Sequence, residues 1–242
     1  MATAAQRRDE LKAVYEQARH CTRCPQLAAT RTTVVFGAGN ADADLMFVGE
    51  APGKNEDEQG LPFVGRAGQL LNTLLEEIGL ERADVFIANT LKCRPPGNRD
   101  PQPGEIDACQ DYLFRQIELI EPKVICTLGN FSTKLLRADP TGIMRLHGQP
   151  EVRTIGPRAV RLYPIFHPAA ALYKQQTLEV LREDFKRLPE LLALPAPAQP
   201  GPVEPVSEPV IPEPELLVEE PPTPVAELSD ATEPEREQLG LF

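Results

Sequence analysis

No stretch of about 18 consecutive apolar residues occurs in the chain, so it carries no segment with the pattern of a membrane-spanning helix. The opening segment, MATAAQRRDELKAVYEQ, likewise lacks the apolar stretch of a signal peptide. The expected location is therefore the cytoplasm, where the five cysteines should be thiols or metal ligands rather than disulfides. Internal repeats are absent, which excludes a solenoid or propeller. Positive charge is in deficit: 25 Lys and Arg face 36 Asp and Glu, a formal net charge of −11. Averaged over the chain, that deficit argues against nucleic-acid binding, which usually needs a basic face.

The deficit is not evenly spread. Residues 194–242 contain eleven acids and one base, Arg236, which leaves 25 acids and 24 bases in residues 1–193. The same tail holds 12 of the 26 prolines and has no aromatic residue before Phe242. Such a segment cannot bury enough apolar surface to offset its ordering entropy, so residues 194–237 should be a disordered acidic linker. Residues 1–193 suffice for one domain with a substantial core, expected to be monomeric.

Within residues 1–193 two periodicities alternate. Apolar runs suited to buried strands lie at Thr33–Phe36, Leu45–Val48, Val85–Ala88, Val124–Leu128 and Leu162–Phe166. Helical patterns cover residues 6–19, Gly65–Ile78, Pro103–Ile120, Asn130–Leu136 and Leu178–Leu192. The alternation predicts an α/β fold, a three-layer sandwich with a central, mostly parallel sheet flanked by helices. Ligand sites in such sheets lie beyond the carboxyl ends of the strands. Three unusual segments fall there: Gly49-Glu-Ala-Pro-Gly53, the loop from Asn89 to Arg99, and His167-Pro-Ala-Ala170.

Each segment offers a distinct chemistry. Glycines around Glu50 let the backbone approach a ligand beside a carboxylate. The Asn89 amide presents a donor and an acceptor side by side, which matches the O4 and N3–H edge of uracil. A neutral His167 could stabilise an anion. His20 abuts the first cysteine pair and His147 is a structural or phosphate-facing residue. Arg94, Arg99, Arg145, Arg153, Arg158 and Arg161 would make a basic rim on a neutral domain. Cys21 and Cys24 form a Cys-x2-Cys pair; with Cys93 and Cys109 they suit tetrahedral zinc or a [4Fe–4S] cluster, between which spacing does not choose. Cys126 reads as a core residue. A non-catalytic module built on a metal or iron–sulfur site, binding DNA or protein, is the alternative to an enzyme, and an electron-transfer partner is a second.

Taken in order, these motifs resemble the family 4, iron–sulfur, uracil-DNA glycosylases over roughly residues 10–190. The resemblance rests on Cys21-x2-Cys24, Gly49-Glu-Ala-Pro-Gly53, Gly60-Leu-Pro-Phe-Val-Gly-Arg-Ala-Gly68, the Asn89–Arg99 loop with Cys93, Cys109 and His167-Pro-Ala-Ala170. Between Arg94 and Cys109 there is nothing like the basic, His-containing insertion of the related covalent-binding branch. The resemblance implies a uracil-DNA glycosylase-like fold and a DNA repair enzyme that excises uracil from DNA. It implies a [4Fe–4S] cluster on Cys21, Cys24, Cys93 and Cys109, with Glu50 and His167 catalytic. Ala51 and Pro52 would touch uracil through their backbone, and Phe63 would stack on it. Asn89 would read its edge, and Glu56 would stand near C5, against the thymine methyl. Arg94 and Arg99 would contact DNA, with Leu172 as the wedge. The terminal Gln238-Leu-Gly-Leu-Phe242 resembles the peptide with which bacterial proteins dock on the replicative sliding clamp.

Overall fold

Uninterrupted apolar runs belong in a sheet covered on both faces, and four of the five expected ones, Leu45–Val48, Val85–Ala88, Val124–Leu128 and Leu162–Phe166, fall on sheet strands. The structure, a computed structural model, describes residues 3–201. Its strands are β1 (Ala38–Gly39), β2 (Leu45–Gly49), β3 (Phe86–Asn89), β4 (Val124–Leu128), β5 (Glu151–Ile155) and β6 (Arg158–Ile165). They form one sheet in the order β1-β3-β2-β4-β6-β5. β3, β2, β4 and β6 run parallel to one another, while β1 and β5 pair antiparallel at the two edges. Every residue of β2, β3 and β4 is buried.

Helices cover both faces. They are α1 (Ala4–Arg19), α2 (Pro25–Thr30), α3 (Lys54–Gln59), α4 (Arg66–Glu77), α5 (Pro103–Ile120), α6 (Asn130–Arg137), α7 (Ile143–Leu146), α8 (Pro168–Ala171), α9 (Gln175–Lys186) and α10 (Leu188–Ala193). Successive strand residues point to opposite faces, so the sheet divides the interior into two cores. Met46, Val48, Phe86 and Ile125 pack with Leu11 and Val14 of α1 and with Leu113 and Ile117 of α5. Leu45, Phe47, Ile87 and Cys126 pack with Leu71, Leu74 and Leu75 of α4 and with Leu181 and Phe185 of α9. Cys126 is fully buried, as expected of a core residue.

Three local expectations are corrected. The run Thr33–Phe36 is not a strand; its buried residues cross the core edge as an irregular segment. The Val35 N–H donates to the Lys92 carbonyl at 2.7 Å and the Gln116 amide donates to the Phe36 carbonyl at 2.9 Å. With its backbone tied to two different elements, it extends no ladder. The edge strand β5 carries no apolar run, and its alternation of partly buried and exposed residues closes a hairpin with β6 through the turn at Gly156 and Pro157. The single helix expected over Leu178–Leu192 breaks at Arg187, because Pro189 lacks the N–H that would continue it. Beyond α10 the chain runs beside the start of β6, where the Gln199 amide brackets Ala159, accepting from its N–H (3.1 Å) and donating to its carbonyl (2.9 Å).

Because β2, β3, β4 and β6 are parallel, Gly49, Asn89, Leu128 and Ile165 all end at one edge of the sheet. β2 continues to β3 on one side, and the chain then crosses to β4 on the other. That reversal leaves a crevice at the strand ends.

Candidate active site

A cavity of about 190 Å³ opens in that crevice, lined by Ala51, Gly53, Glu56, Phe63, Ala67, Asn89 and His167. Its volume corresponds to roughly six waters at about 30 Å³ each, the scale of one small heterocycle. Five residues expected to touch uracil therefore meet around one space, and Gly53 and Ala67 join them. Pro52 is buried and Glu50 half-buried beside the cavity rather than on its lining. Burial, with the Asp100 charge behind it, raises the Glu50 carboxyl above the usual carboxylate range.

The Phe63 ring is placed by an unusual backbone. Phe63 has φ +53°, a left-handed conformation that a residue with a bulky side chain adopts only under constraint. The constraint comes from Arg82, which donates to the carbonyls of Pro62 (2.5 Å) and Phe63 (3.3 Å) and to Asn72 Oδ1 (3.2 Å). Close approach of α4 adds to it: a Cβ on Gly68 would stand 1.8 Å from the Phe63 carbonyl oxygen. On the opposite wall, a Cβ on Gly49 would lie 2.4 Å from Asn89 Oδ1 and 2.8 Å from the Phe63 ring. Gly49 and Gly68 are thus glycines because the cavity walls touch their backbone.

Glu56 is anchored rather than free. Its Oε1 accepts from the N–H groups of Val64 (3.0 Å) and Gly65 (2.8 Å), at the entry to α4. A helix N-terminus offers free N–H groups and a positive dipole end, which suit a carboxylate. Gly65 directly before a helical pattern was the sequence signal for this anchor, which sequence reasoning passed over.

Asn89 is 2% exposed, and its Oδ1 has no hydrogen-bond partner among the described residues. Buried amide oxygens are rarely left unpaired. The main chain beneath it is firmly held: the Lys92 ammonium, itself buried, donates to the Asn89 carbonyl (2.9 Å) and to Gln116 Oε1 (2.6 Å). Nothing in the sequence marked Lys92 as more than part of a loop.

His167 ends β6 and caps α8. Its Nδ1 accepts from the Ala169 N–H at 3.0 Å, so the ring carries its proton on Nε2. Burial lowers its pKa to about 4, and the ring is a neutral donor at ordinary pH. It lies 5.5 Å from the Phe63 ring, centroid to centroid, at 28°.

The expected DNA-contacting residues are scattered. Arg94 donates to Asn98 Oδ1 (2.7 Å). Arg99 directs its fork at Glu105, at 2.9 and 2.6 Å. Leu172 is half-buried, whereas its neighbour Tyr173 is exposed. The proposed rim is incomplete: Arg158 begins β6, the end remote from His167, and pairs with Glu121, while Arg153 pairs with Glu151.

Cys21, Cys24, Cys93 and Cys109 lie within electrostatic reach of one another at the α1–α2 turn, the β3 loop and α5. Cationic and N–H groups surround them. Arg31 donates to Cys93 Sγ (3.2 Å), and the Lys92 N–H donates to Cys109 Sγ (3.3 Å). Burial raises the thiols of Cys24 and Cys109 and pushes Cys93 up to about 11. No three His, Cys, Asp or Glu side chains among the described residues are disposed to hold a single metal ion. No helix among them is long and apolar enough to cross a membrane.

A doubly covered α/β sheet with a base-sized crevice, an unpaired amide and a neutral imidazole defines the class. Residues 36–189 match the Uracil DNA glycosylase superfamily. A type-4 uracil-DNA glycosylase of Sulfurisphaera tokodaii is 46% identical over 192 residues, 77% of this chain and 87% of its own. One from Archaeoglobus fulgidus is 46% identical over 188 residues, 76% and 94% of the two chains. A type-5 enzyme of Pyrobaculum aerophilum is 27% identical over 204 residues, 69% and 87%. The chain belongs to the type-4 uracil-DNA glycosylases.

Proposed function

We propose that the protein excises uracil from DNA, hydrolysing the N-glycosidic bond and leaving an abasic site for base excision repair. One observation carries the reading: the unpaired Asn89 Oδ1 at a base-sized cavity that Phe63 and His167 also line. Uracil N3–H would satisfy that acceptor and O4 would take the amide N–H. Cytosine offers a lone pair and an amine at the same two places and would leave buried polar groups unpaired.

Uracil leaves the stack to reach the cavity, at a cost of a few kcal/mol that is lower for a mispaired base. Its ring then lies against Phe63, with the backbone of Ala51 and Pro52 at its edge. Glu56, held by Val64 and Gly65, fills the wall that a 5-methyl group would need. As the C1′–N1 bond breaks, its electrons pass to the base and negative charge builds on O2. His167 donates to O2 from Nε2. Glu50 orients a water, whose oxygen bonds C1′ and whose proton it accepts before release to solvent. Arg94 and Arg99 would contact flanking phosphates, Arg99 after release from Glu105, and Leu172 would fill the gap left by the base.

Cys21, Cys24, Cys93 and Cys109 are the proposed ligands of a [4Fe–4S] cluster. The four thiols lie within electrostatic reach of one another, and buried thiols need bound positive charge to be held as thiolates. When bound, the cluster supplies structural cross-linking of the loop that carries Arg94. Residues 1–193 would form the catalytic domain, 194–237 a disordered acidic tether and Gln238–Phe242 a peptide for the sliding clamp; of the last two only residues 194–201 are described, and there Gln199 is held on Ala159 rather than loose. The protein would work as a cytoplasmic monomer.

An oligonucleotide with one labelled uracil, treated with alkali after incubation, tests the activity. Strand cleavage at the uracil, and none at a cytosine control, is expected; an intact uracil strand overturns the reading. Single-turnover rates at least tenfold lower for His167→Ala and Glu50→Ala are expected, and wild-type rates in both would refute the site.

A further inference from the structure

A second, larger hollow of about 700 Å³ lies against the far side of α8, lined by Phe166, Ala169 and Ala170 where the uracil cavity is lined by His167. Both spaces lie against residues of the same short segment, Phe166–Ala170, so the second is within a nucleotide's reach of the first. Met144 (75% exposed) and Tyr173 (78% exposed) stand on this second hollow and are the two most exposed large apolar side chains of the described residues. Tyr173 is held rather than loose. Arg66 donates to its hydroxyl at 2.9 Å and lies 5.2 Å from its ring centroid, with the guanidinium over the face.

The polar groups are equally one-sided. Lys174 and His147 line the hollow, and no carboxylate is among the described residues that do. The His147 ring packs on Phe166 at 4.5 Å between centroids, and its Nδ1 faces Asp184 Oδ2 at 3.4 Å. Apolar faces beside the Lys174 ammonium suit a nucleotide: a flat base and a phosphate.

Building on the uracil reading, we propose that this hollow binds the nucleotide next to the flipped uridine, stacking its base on Tyr173 and Met144 and setting its phosphate by Lys174. The pair formed by Arg66 and Tyr173 presets the stacking ring, which lets the enzyme hold single-stranded DNA as well as duplex.

Full-length protein and single-stranded oligonucleotides with 2-aminopurine on either side of uracil test the inference. Wild-type protein should change the probe's fluorescence at one flank only. Tyr173→Ala should abolish that change and weaken Kd about tenfold, within the range base–aromatic stacking supplies. Tyr173→Phe should keep the signal, which separates loss of stacking from a damaged fold. Lys174→Gln should lower the salt dependence of binding by about one counterion. If wild-type protein excises uracil yet Tyr173→Ala retains both the flank signal and wild-type Kd, the hollow is not a nucleotide site. If wild-type protein excises no uracil, the functional reading itself has failed.

Discussion

His167 illustrates how one hydrogen bond assigns a chemical role. An imidazole whose Nδ1 accepts from the Ala169 N–H must present Nε2–H to the cavity, and protonation would break that bond. Its pKa of about 4 lies below the ordinary value of about 6.5 for an unfolded histidine. The unfolded chain therefore binds this proton first as pH falls, and stability should decline from about pH 6.5 downward through pH 4. Nitrogen-detected NMR should show this ring still neutral at pH 5.5, whereas a midpoint near 6.5 would contradict its environment. His167→Ala should slow excision about 100-fold, the usual loss for one donor to a developing oxyanion. The place of the Asn89 amide at a strand end was legible in the sequence. The burial of its oxygen without a partner was not, because it depends on Gly49 and Phe63 arriving from other segments.

At the scale of elements, the cavity depends on two close approaches that tolerate no added carbon. Gly68→Ala must displace the Phe63 turn, since the new methyl would meet backbone at 1.8 Å. Melting and uracil product-inhibition measurements should show loss of roughly 1–3 kcal/mol of stability together with weaker uracil binding. Gly49→Ala should leave the melt nearer wild type, because its clash is with the Asn89 and Phe63 side chains, and should abolish excision. Arg82→Ala frees the carbonyls of Pro62 and Phe63 and relieves the left-handed Phe63 of its constraint. A rise in KM of tenfold or more with a modest fall in Tm is expected, measured by steady-state excision and calorimetry. Elements with strong periodicity, such as α4 and α5, were readable because one face had to be apolar. The edge strand β5 and the break at Arg187 were not visible as apolar pattern; the first arises from pairing with β6 and the second from one proline.

Across the whole molecule the −11 charge separates into a domain close to neutral and a strongly acidic terminal segment. DNA should repel that segment, which would keep the terminal peptide away from substrate and available to a protein partner. Deleting Gln238–Phe242 should abolish capture by the sliding clamp in a pull-down and leave excision of short oligonucleotides unchanged; equal capture would refute the peptide's role. Cys24→Ala should lower bound iron and the broad visible absorption of the purified protein, and depress Tm by several degrees, read by iron assay and thermal melt. A colourless wild-type protein containing zinc would instead favour a single-ion site.

The order of motifs along the chain sufficed for the fold class and the family, because buried strands, strand-end loops and a Cys-x2-Cys turn are local patterns. Which residues share a cavity came from the crossing of the chain between β3 and β4, which sets β2 and β4 side by side. The tautomer of His167, the anchoring of Glu56 and the strained turn at Phe63 all depend on contacts between segments distant in sequence. Periodicity reports how each element faces the core, and only packing reports what the far ends of those elements touch.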